Sequence, residues 1–213
     1  MEKLHGTEPA SPWIRRWSHL VVARGTVLDV ACGYGRHLRW FAGQGHGVTG
    51  VDRSPEAVDS LADLVAAGQA QLVQADIENG PWPLMDGAQP RLFDAIVVTN
   101  YLWRPLLPTL VRSLAPGGVL LYETFAQGNA TVGKPSRPDF LLAAGELLAV
   151  CLGLRVVAYE DGFCANPDRF VQRIAAVRTG TDGTGAGKDR GSPPRFPLGG
   201  LGRMRNSRFL LRL

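Results

Sequence analysis

The run Val27-Leu28-Asp29-Val30-Ala31-Cys32-Gly33-Tyr34-Gly35-Arg36-His37 puts two glycines where an apolar strand must turn sharply into a helix. Without a Cβ, Gly33 and Gly35 let the backbone take strained angles and approach a ligand closely, and the following helix start offers free N–H groups to a carboxylate. Seventeen positions past Gly35, Val48-Thr49-Gly50-Val51-Asp52 ends a second apolar run in an acid. One carboxylate can accept from both vicinal hydroxyls of a ribose, which makes Asp52 a candidate ribose holder. A dinucleotide site needs G-x-G-x-x-G/A so that helix and strand pack closely beside a pyrophosphate. Here the sixth position is Leu38, after Arg36 and His37. Asp29, four residues before Gly33, would repel a pyrophosphate and suit an ammonium group. The spacing therefore points to a ligand with a ribose, a carboxylate and an ammonium but no phosphate. His37 either serves as a base or makes a polar contact at the helix start.

These residues need strands that end on one edge of a sheet. From Gly25 to Val177 short β-branched runs alternate with helical patterns, as in an α/β Rossmann-like, doubly wound fold around a mostly parallel sheet. Val27–Ala31, Val48–Val51, Gln71–Gln74, Ala95–Thr99 and Val119–Glu123 are apolar on both faces, as strands covered by helices on both sides should be. Helices are predicted over Arg36–Gly43, Ser54–Ala67, Leu106–Leu114 and Ala143–Leu152, with Ser54-Pro55 as N-cap and first helical position. Ala115-Pro116-Gly117-Gly118 is a helix stop and turn. Leu154–Glu160 and Phe170–Val177, joined by a polar loop over Asp161–Arg169, complete seven strands with an antiparallel C-terminal pair. Ahead of the domain, Ser11-Pro12-Trp13-Ile14-Arg15-Arg16-Trp17 reads as a short capped helix, with both tryptophans on one face for core packing or for a lid.

A chain of 213 residues with 45% hydrophobic content can bury one substantial core, so residues 1–178 are expected to form one domain, with 1–24 as a helical extension. Cys32, Cys151 and Cys164 form no CxxC pair, and neither a disulfide framework nor a metal site is suggested. The N-terminus has no apolar stretch behind a basic start, and no apolar run reaches the roughly 18 to 20 residues of a membrane span. A cytoplasmic protein without membrane association is expected. The net charge of +4 is unevenly spread: residues 179–213 hold seven Lys and Arg against two Asp, leaving the first 178 residues at −1. That tail, rich in Gly and Pro, is expected to remain disordered, because it cannot bury enough surface to offset its ordering entropy.

Taken in order, the motifs resemble the class I methyltransferase superfamily. Its first motif is an acidic residue followed by G-x-G-x-G, and here reads Asp29-Val30-Ala31-Cys32-Gly33-Tyr34-Gly35, with Ala31 in place of the first glycine. The resemblance implies S-adenosyl-methionine as cofactor, bound through Asp29, Ala31, Gly33, Gly35, Asp52 and Arg53. It further implies that Asp76-Ile77, after the third strand, meets the adenine and that Thr99-Asn100-Tyr101, ending the fourth, lies beside the transferable methyl. Pro116-Gly117-Gly118 precedes the fifth strand as in the family. Beyond it, Thr131-Val132-Gly133-Lys134-Pro135, Phe140-Leu141-Leu142, Gly145-Glu146-Leu147 and Val156-Val157-Ala158-Tyr159-Glu160-Asp161-Gly162 look like the tellurite-resistance branch.

Methyl transfer from a sulfonium is an in-line displacement that needs alignment and a dry pocket more than covalent help. Tyr101 and Trp103 either line the methyl-donor region, where an aromatic face stabilises the cation, or pack at the strand end. Arg104, Lys134 and Arg137 either hold an anionic small-molecule substrate at the rim or are solvated charges. Glu123 is either a proton acceptor or support for the site. Asn100-Tyr101-Leu102-Trp103 lacks the proline pair and aromatic that hold a flipped base amine, which argues against nucleic acid. A monomer or weak homodimer is expected. Two rivals stay open: a nicotinamide-dependent oxidoreductase, and a catalytically silent module that keeps the pocket for a partner.

Overall fold

A computed structural model describes residues 8–180 and 194–198. Strands β1 (Thr26–Val30), β2 (Gly47–Asp52), β3 (Ala70–Gln74), β6 (Phe93–Thr99), β7 (Leu114–Phe125), β8 (Arg155–Cys164) and β9 (Arg169–Val177) form one sheet in the order β3-β2-β1-β6-β7-β9-β8. The first five in that order run parallel, while β9 lies antiparallel to both β7 and β8. A small hairpin, β4 (Met85–Asp86) with β5 (Gln89–Pro90), stands apart. The seven strands and the antiparallel pair match the sequence expectation. Strand order reverses between β1 and β6, and in such sheets the crevice outside the carboxyl ends of the strands at that point takes the ligand.

Helices cover both faces because the strands are apolar on both. Leu28, Val30, Ile96, Val98, Leu120 and Tyr122 face one core layer, with α5 (Leu107–Arg112) and α6 (Glu146–Val150). Val27, Ala95, Val97, Val119 and Leu121 face the other, with α1 (Pro12–Trp17) and α2 (Arg36–Ala42). The alternation is the two-residue period of a strand read across the sheet. Ser11 caps α1 by accepting from the Trp13 N–H at 3.2 Å, and Trp13 and Trp17 pack as core, their ring centres 5.7 Å apart.

Several elements depart from expectation for identifiable reasons. The helix foreseen over Ser54–Ala67 is two, α3 (Pro55–Asp59) and α4 (Ala62–Ala66), because the Ser60 hydroxyl donates to the Ala57 carbonyl at 2.6 Å and the chain turns there. The turn drops Leu61 into the core under Gly35. The helix foreseen over Ala143–Leu152 shortens to α6, since Gly145 precedes it with φ 73°, and the Glu146 carboxylate accepts from the Ala143 N–H at 2.8 Å. The one foreseen over Leu106–Leu114 ends at Arg112. Strand β7 starts at Leu114, and the residues Ala115–Gly118 appear as a bulge between the pairings Phe93↔Leu114 and Ala95↔Val119. The loop foreseen over Asp161–Arg169 is mostly strand, with Phe163 opposite Phe170 and their rings 5.2 Å apart.

The expected disorder of 179–213 falls largely outside the described residues. Of the part described, Phe196 packs on the α1 side of the core and the Pro197 carbonyl lies 2.9 Å from His19 Nε2. Among the described residues no helix is long and apolar enough to cross a membrane.

Candidate active site

A cleft of about 150 Å³ opens at the carboxyl edge of the sheet, lined by Ala31, Asp52, Arg53, Ala75, Asp76, Ile77, Glu78 and Tyr101. Each strand delivers its residue by ending there: β1 into Ala31, β2 at Asp52, β3 into Ala75–Glu78, β6 into Tyr101. Of the residues singled out in the sequence, the cleft thus gathers Ala31, Asp52, Arg53, Asp76, Ile77 and Tyr101. Ala75 and Glu78 were missed; the only signal was their place on either side of Asp76-Ile77.

Asp52 is tied to the glycine loop. Its Oδ2 accepts from the Gly33 N–H at 2.7 Å and its Oδ1 from the Ser54 N–H at 2.9 Å. Each oxygen keeps a lone pair, so the carboxylate can still accept from a ribose while it sets the loop's shape. Gly33 and Gly35 take φ of 51° and 74°. A Cβ on Gly35 would sit 2.5 Å from Leu61 Cδ2, so close packing as well as backbone angle demands glycine there. Ala31, where the family pattern has glycine, carries φ 53°, a left-handed conformation that costs a residue with a Cβ roughly 1–2 kcal/mol.

Asp76 builds the turn after β3. Its Oδ1 accepts from the Glu78 and Asn79 N–H groups at 3.0 and 3.1 Å, and its Oδ2 from Asn79 Nδ2 at 2.9 Å. The Asn79 amide first, then those N–H groups, hold this exposed carboxyl below its usual range. The Tyr101 hydroxyl is buried with no hydrogen-bond partner of good geometry among the described residues. Burial, then the Glu78 carboxylate beside it, pushes that phenol well above its ordinary value. Tyr101 is therefore neutral at physiological pH and available as a donor.

Other candidates lie outside this lining. Asp29 and His37 are buried under α1, Asp29 Oδ2 standing 3.7 Å from His37 Nδ1. His37 Nε2 accepts from the Ser11 N–H at 3.3 Å, which leaves the proton of the neutral ring on Nδ1, facing Asp29. The Asp29 Oδ2 atom itself has no hydrogen-bond partner among the described residues. The network continues through the Ser11 hydroxyl, which donates to Glu123 Oε1 at 2.8 Å, and on to Arg173 Nε, 2.5 Å from Glu123 Oε2. Arg173 also donates to Glu160 at 3.1 Å. Glu123 is thus engaged as support beneath the N-terminal segment. The residues Ser11 and Arg173 gave no signal in sequence, because nothing local marks partners 112 or 50 positions away from Glu123. Asn100, at φ 55°, donates its N–H to the Glu123 carbonyl at 2.9 Å and is exposed at the end of β6.

The arginines are not brought together. Arg104 is a clamp: Nε and an Nη donate to the two Glu146 oxygens at 2.7 and 3.0 Å, and its Nη atoms also reach the carbonyls of Asp139 and Leu141 at 2.8 and 2.9 Å. Its fork is filled by this chain. Arg137 lies on the surface, paired with Asp139 at 2.9 Å and stacked 5.1 Å from the Phe140 ring centre. Lys134 is exposed nearby in sequence, and Trp103 packs half-buried on the core.

The cleft fits S-adenosyl-methionine. An open carboxylate at Asp52 suits its ribose, apolar Ala75 and Ile77 suit a base, and the Tyr101 hydroxyl beside Glu78 gives the wall a polar edge. Comparison with known proteins agrees. Residues 27–118 match the family model for a methyltransferase domain. The chain is similar in fold to TehB from Haemophilus influenzae (19% identity, TM-score 0.59), covering 76% of this chain and 60% of that one. A SAM-dependent methyltransferase from Methanosarcina mazei is similar at 16% identity and TM-score 0.60, covering 81% of this chain and 99% of that one. The N-methyltransferase NodS from Bradyrhizobium japonicum is similar at 19% identity and TM-score 0.58, with 77% and 93% covered. A search of curated protein sequences finds no match. Residues 27–118 thus match a methyltransferase domain, and the chain has the fold of S-adenosyl-methionine-dependent methyltransferases.

Proposed function

We propose, from the premise of a methyltransferase domain, that this protein moves the cofactor's methyl group to a small-molecule nucleophile gathered at the carboxyl ends of β6 and β7. The observation that carries the reading is the charge of the cleft. Asp52, Asp76 and Glu78 surround a single cation, Arg53. Such a lining favours a nucleoside that bears positive charge and repels a pyrophosphate, which sets the nicotinamide alternative aside.

S-adenosyl-methionine, when bound, supplies a methyl on a sulfonium, which leaves in line with the attacking lone pair. The chain's part is to orient and to dry. Asp52 holds the ribose and, through Gly33, the loop that faces the methionine end. The neutral Tyr101 closes the wall next to β6. A nucleophile that must shed a proton has no ionised base among the cleft residues on the β6 side, so the acceptor brings its own lone pair or loses its proton to water. Positioning then supplies most of the rate gain.

For the acceptor, an anion of the kind suggested by the tellurite-resistance resemblance would rest on Arg137 and Lys134, since Arg104 is committed to Glu146. Nucleic acid is not the proposed substrate, the domain being nearly neutral. Calorimetry tests the cofactor: S-adenosyl-homocysteine should bind while oxidised and reduced nicotinamide dinucleotides should not. Incubation of a cell extract with the protein and isotopically labelled S-adenosyl-methionine then identifies the acceptor by product mass. Tight nicotinamide binding, or no labelled product beyond a heat-inactivated control, would defeat the proposal.

A further inference from the structure

We propose that His37 is a positioning residue for the amino-acid end of the cofactor, bracing the two stems of the glycine loop by presenting its Nδ1–H to Asp29; this rests on the S-adenosyl-methionine reading above. Between Asp29 and His37 the chain places three residues in the left-handed region, Ala31, Gly33 and Gly35, with φ of 53°, 51° and 74°. Backbone of this kind persists only where its surroundings determine it. Asp52 does so from the cleft side, through the Gly33 N–H at 2.7 Å. A second brace lies behind the loop, where Asp29 Oδ2 and His37 Nδ1 stand 3.7 Å apart and each side chain is 2% exposed. Neither side chain lines the cleft, so the pair acts on a ligand through the loop.

The N-terminal segment aims the ring. The Ser11 N–H donates to His37 Nε2 at 3.3 Å, and a neutral ring that accepts at Nε2 carries its proton at Nδ1. Ser11 is itself pinned, its hydroxyl donating to Glu123 Oε1 at 2.8 Å and its carbonyl accepting from the Arg15 N–H at 2.9 Å. The imidazole is thus fixed in orientation and tautomer, and its remaining donor faces the Asp29 oxygen that has no hydrogen-bond partner among the described residues. The gap of 3.7 Å exceeds a hydrogen bond, as site contacts often do before a ligand is bound, so donor and acceptor are poised to join when the loop closes on the cofactor. A hydrogen bond to a charged group corresponds to roughly tenfold to a hundredfold in a binding constant.

The test puts two amides in place of the ring. Asn carries its amide where the ring has Nδ1 and keeps a donor for Asp29, whereas Gln reaches the place of Nε2 and keeps only the acceptor for Ser11. Calorimetry on the full chain gives dissociation constants for S-adenosyl-homocysteine and for 5′-methylthioadenosine, which has the base and ribose but lacks the amino-acid end. The unmodified protein should prefer S-adenosyl-homocysteine by about tenfold or more, and His37→Asn should keep that preference within about threefold. His37→Gln should lower the preference by about tenfold, with the affinity for methylthioadenosine changed by less than about threefold. A histidine with a merely structural role would lower Tm in both variants and alter both ligands alike, so equal ratios in the two variants, or no preference in the unmodified chain, overturn the proposal. Should a variant fail to fold, nitrogen NMR of the unmodified chain decides: a proton on Nδ1 of His37 supports the brace and a proton on Nε2 overturns it. If the unmodified chain binds neither ligand, the cofactor reading fails, and the proposal with it.

Discussion

Replacing Asp52 should separate two jobs that one carboxylate performs. In Asp52→Ala the Gly33 and Ser54 N–H groups lose their acceptors at 2.7 and 2.9 Å. Hydrogen bonds to a charged group contribute about 1.5–3 kcal/mol each when buried, and water replaces part of that at a half-exposed residue, so about 1 kcal/mol per bond is the appropriate scale. The folded state should lose about 2 kcal/mol, a fall of roughly 4–8 °C in Tm for a domain of this size. Cofactor binding should weaken separately by about 1–3 kcal/mol, because two ribose hydroxyls lose their acceptor and the loop loses its preset shape. Asp52→Asn retains one acceptor oxygen but turns an amide N–H toward a backbone N–H, so it should recover no more than half of either loss. Differential scanning calorimetry reads the first quantity and titration with S-adenosyl-homocysteine the second. An unchanged Tm would refute the clamp on Gly33, and an unchanged Kd in a folded variant would remove Asp52 from the ribose.

Arg173→Met should destabilise by about 3–5 kcal/mol in urea denaturation, because Glu123, 1% exposed, is left buried with only the Ser11 hydroxyl as donor. Ala31→Gly should preserve binding and stabilise by up to about 1 kcal/mol, relief of the left-handed strain exceeding the added unfolded-state entropy; a loss of stability would contradict this. Arg104→Gln should lower Tm while Arg137→Gln leaves it unchanged, and only the latter should raise KM for an anionic acceptor with little change in kcat. For Glu146, desolvation raises the carboxyl pKa, but the Arg104 hydrogen bonds, the Ala143 N–H and the Arg104 charge outweigh it and hold the value below 4.5. A depressed folded value means its contribution is present above pH 4.5 and lost as pH falls through the folded pKa, so Glu146→Gln should flatten that part of the acid-unfolding profile.

The sheet and the cofactor end were legible in sequence because both are local patterns. Runs apolar on both faces mark buried parallel strands. A strand that ends in a glycine turn or an acid must present that residue at the carboxyl edge, so Asp52 could be placed from spacing, while Asp76 and Ile77 were placed by the resemblance to the methyltransferase superfamily. Helix limits were less legible: α3 and α4 divide because the Ser60 hydroxyl bonds backward and Leu61 is needed beneath Gly35, a contact 26 positions away that no periodicity records. The fates of the charged side chains lay wholly in tertiary structure. Arg104, Arg137, Asp29 and Glu123 look alike to a reading of composition, yet the fold fills the fork of Arg104 with Glu146, leaves Arg137 on the surface, and buries Asp29 and Glu123 beside His37 and Arg173. A charge acts through whatever lies within a few ångströms, and chain positions far apart in sequence supply those neighbours; strand and turn propensities are written into adjacent residues, whereas the partners of an ion exist only once the sheet has brought its edges together.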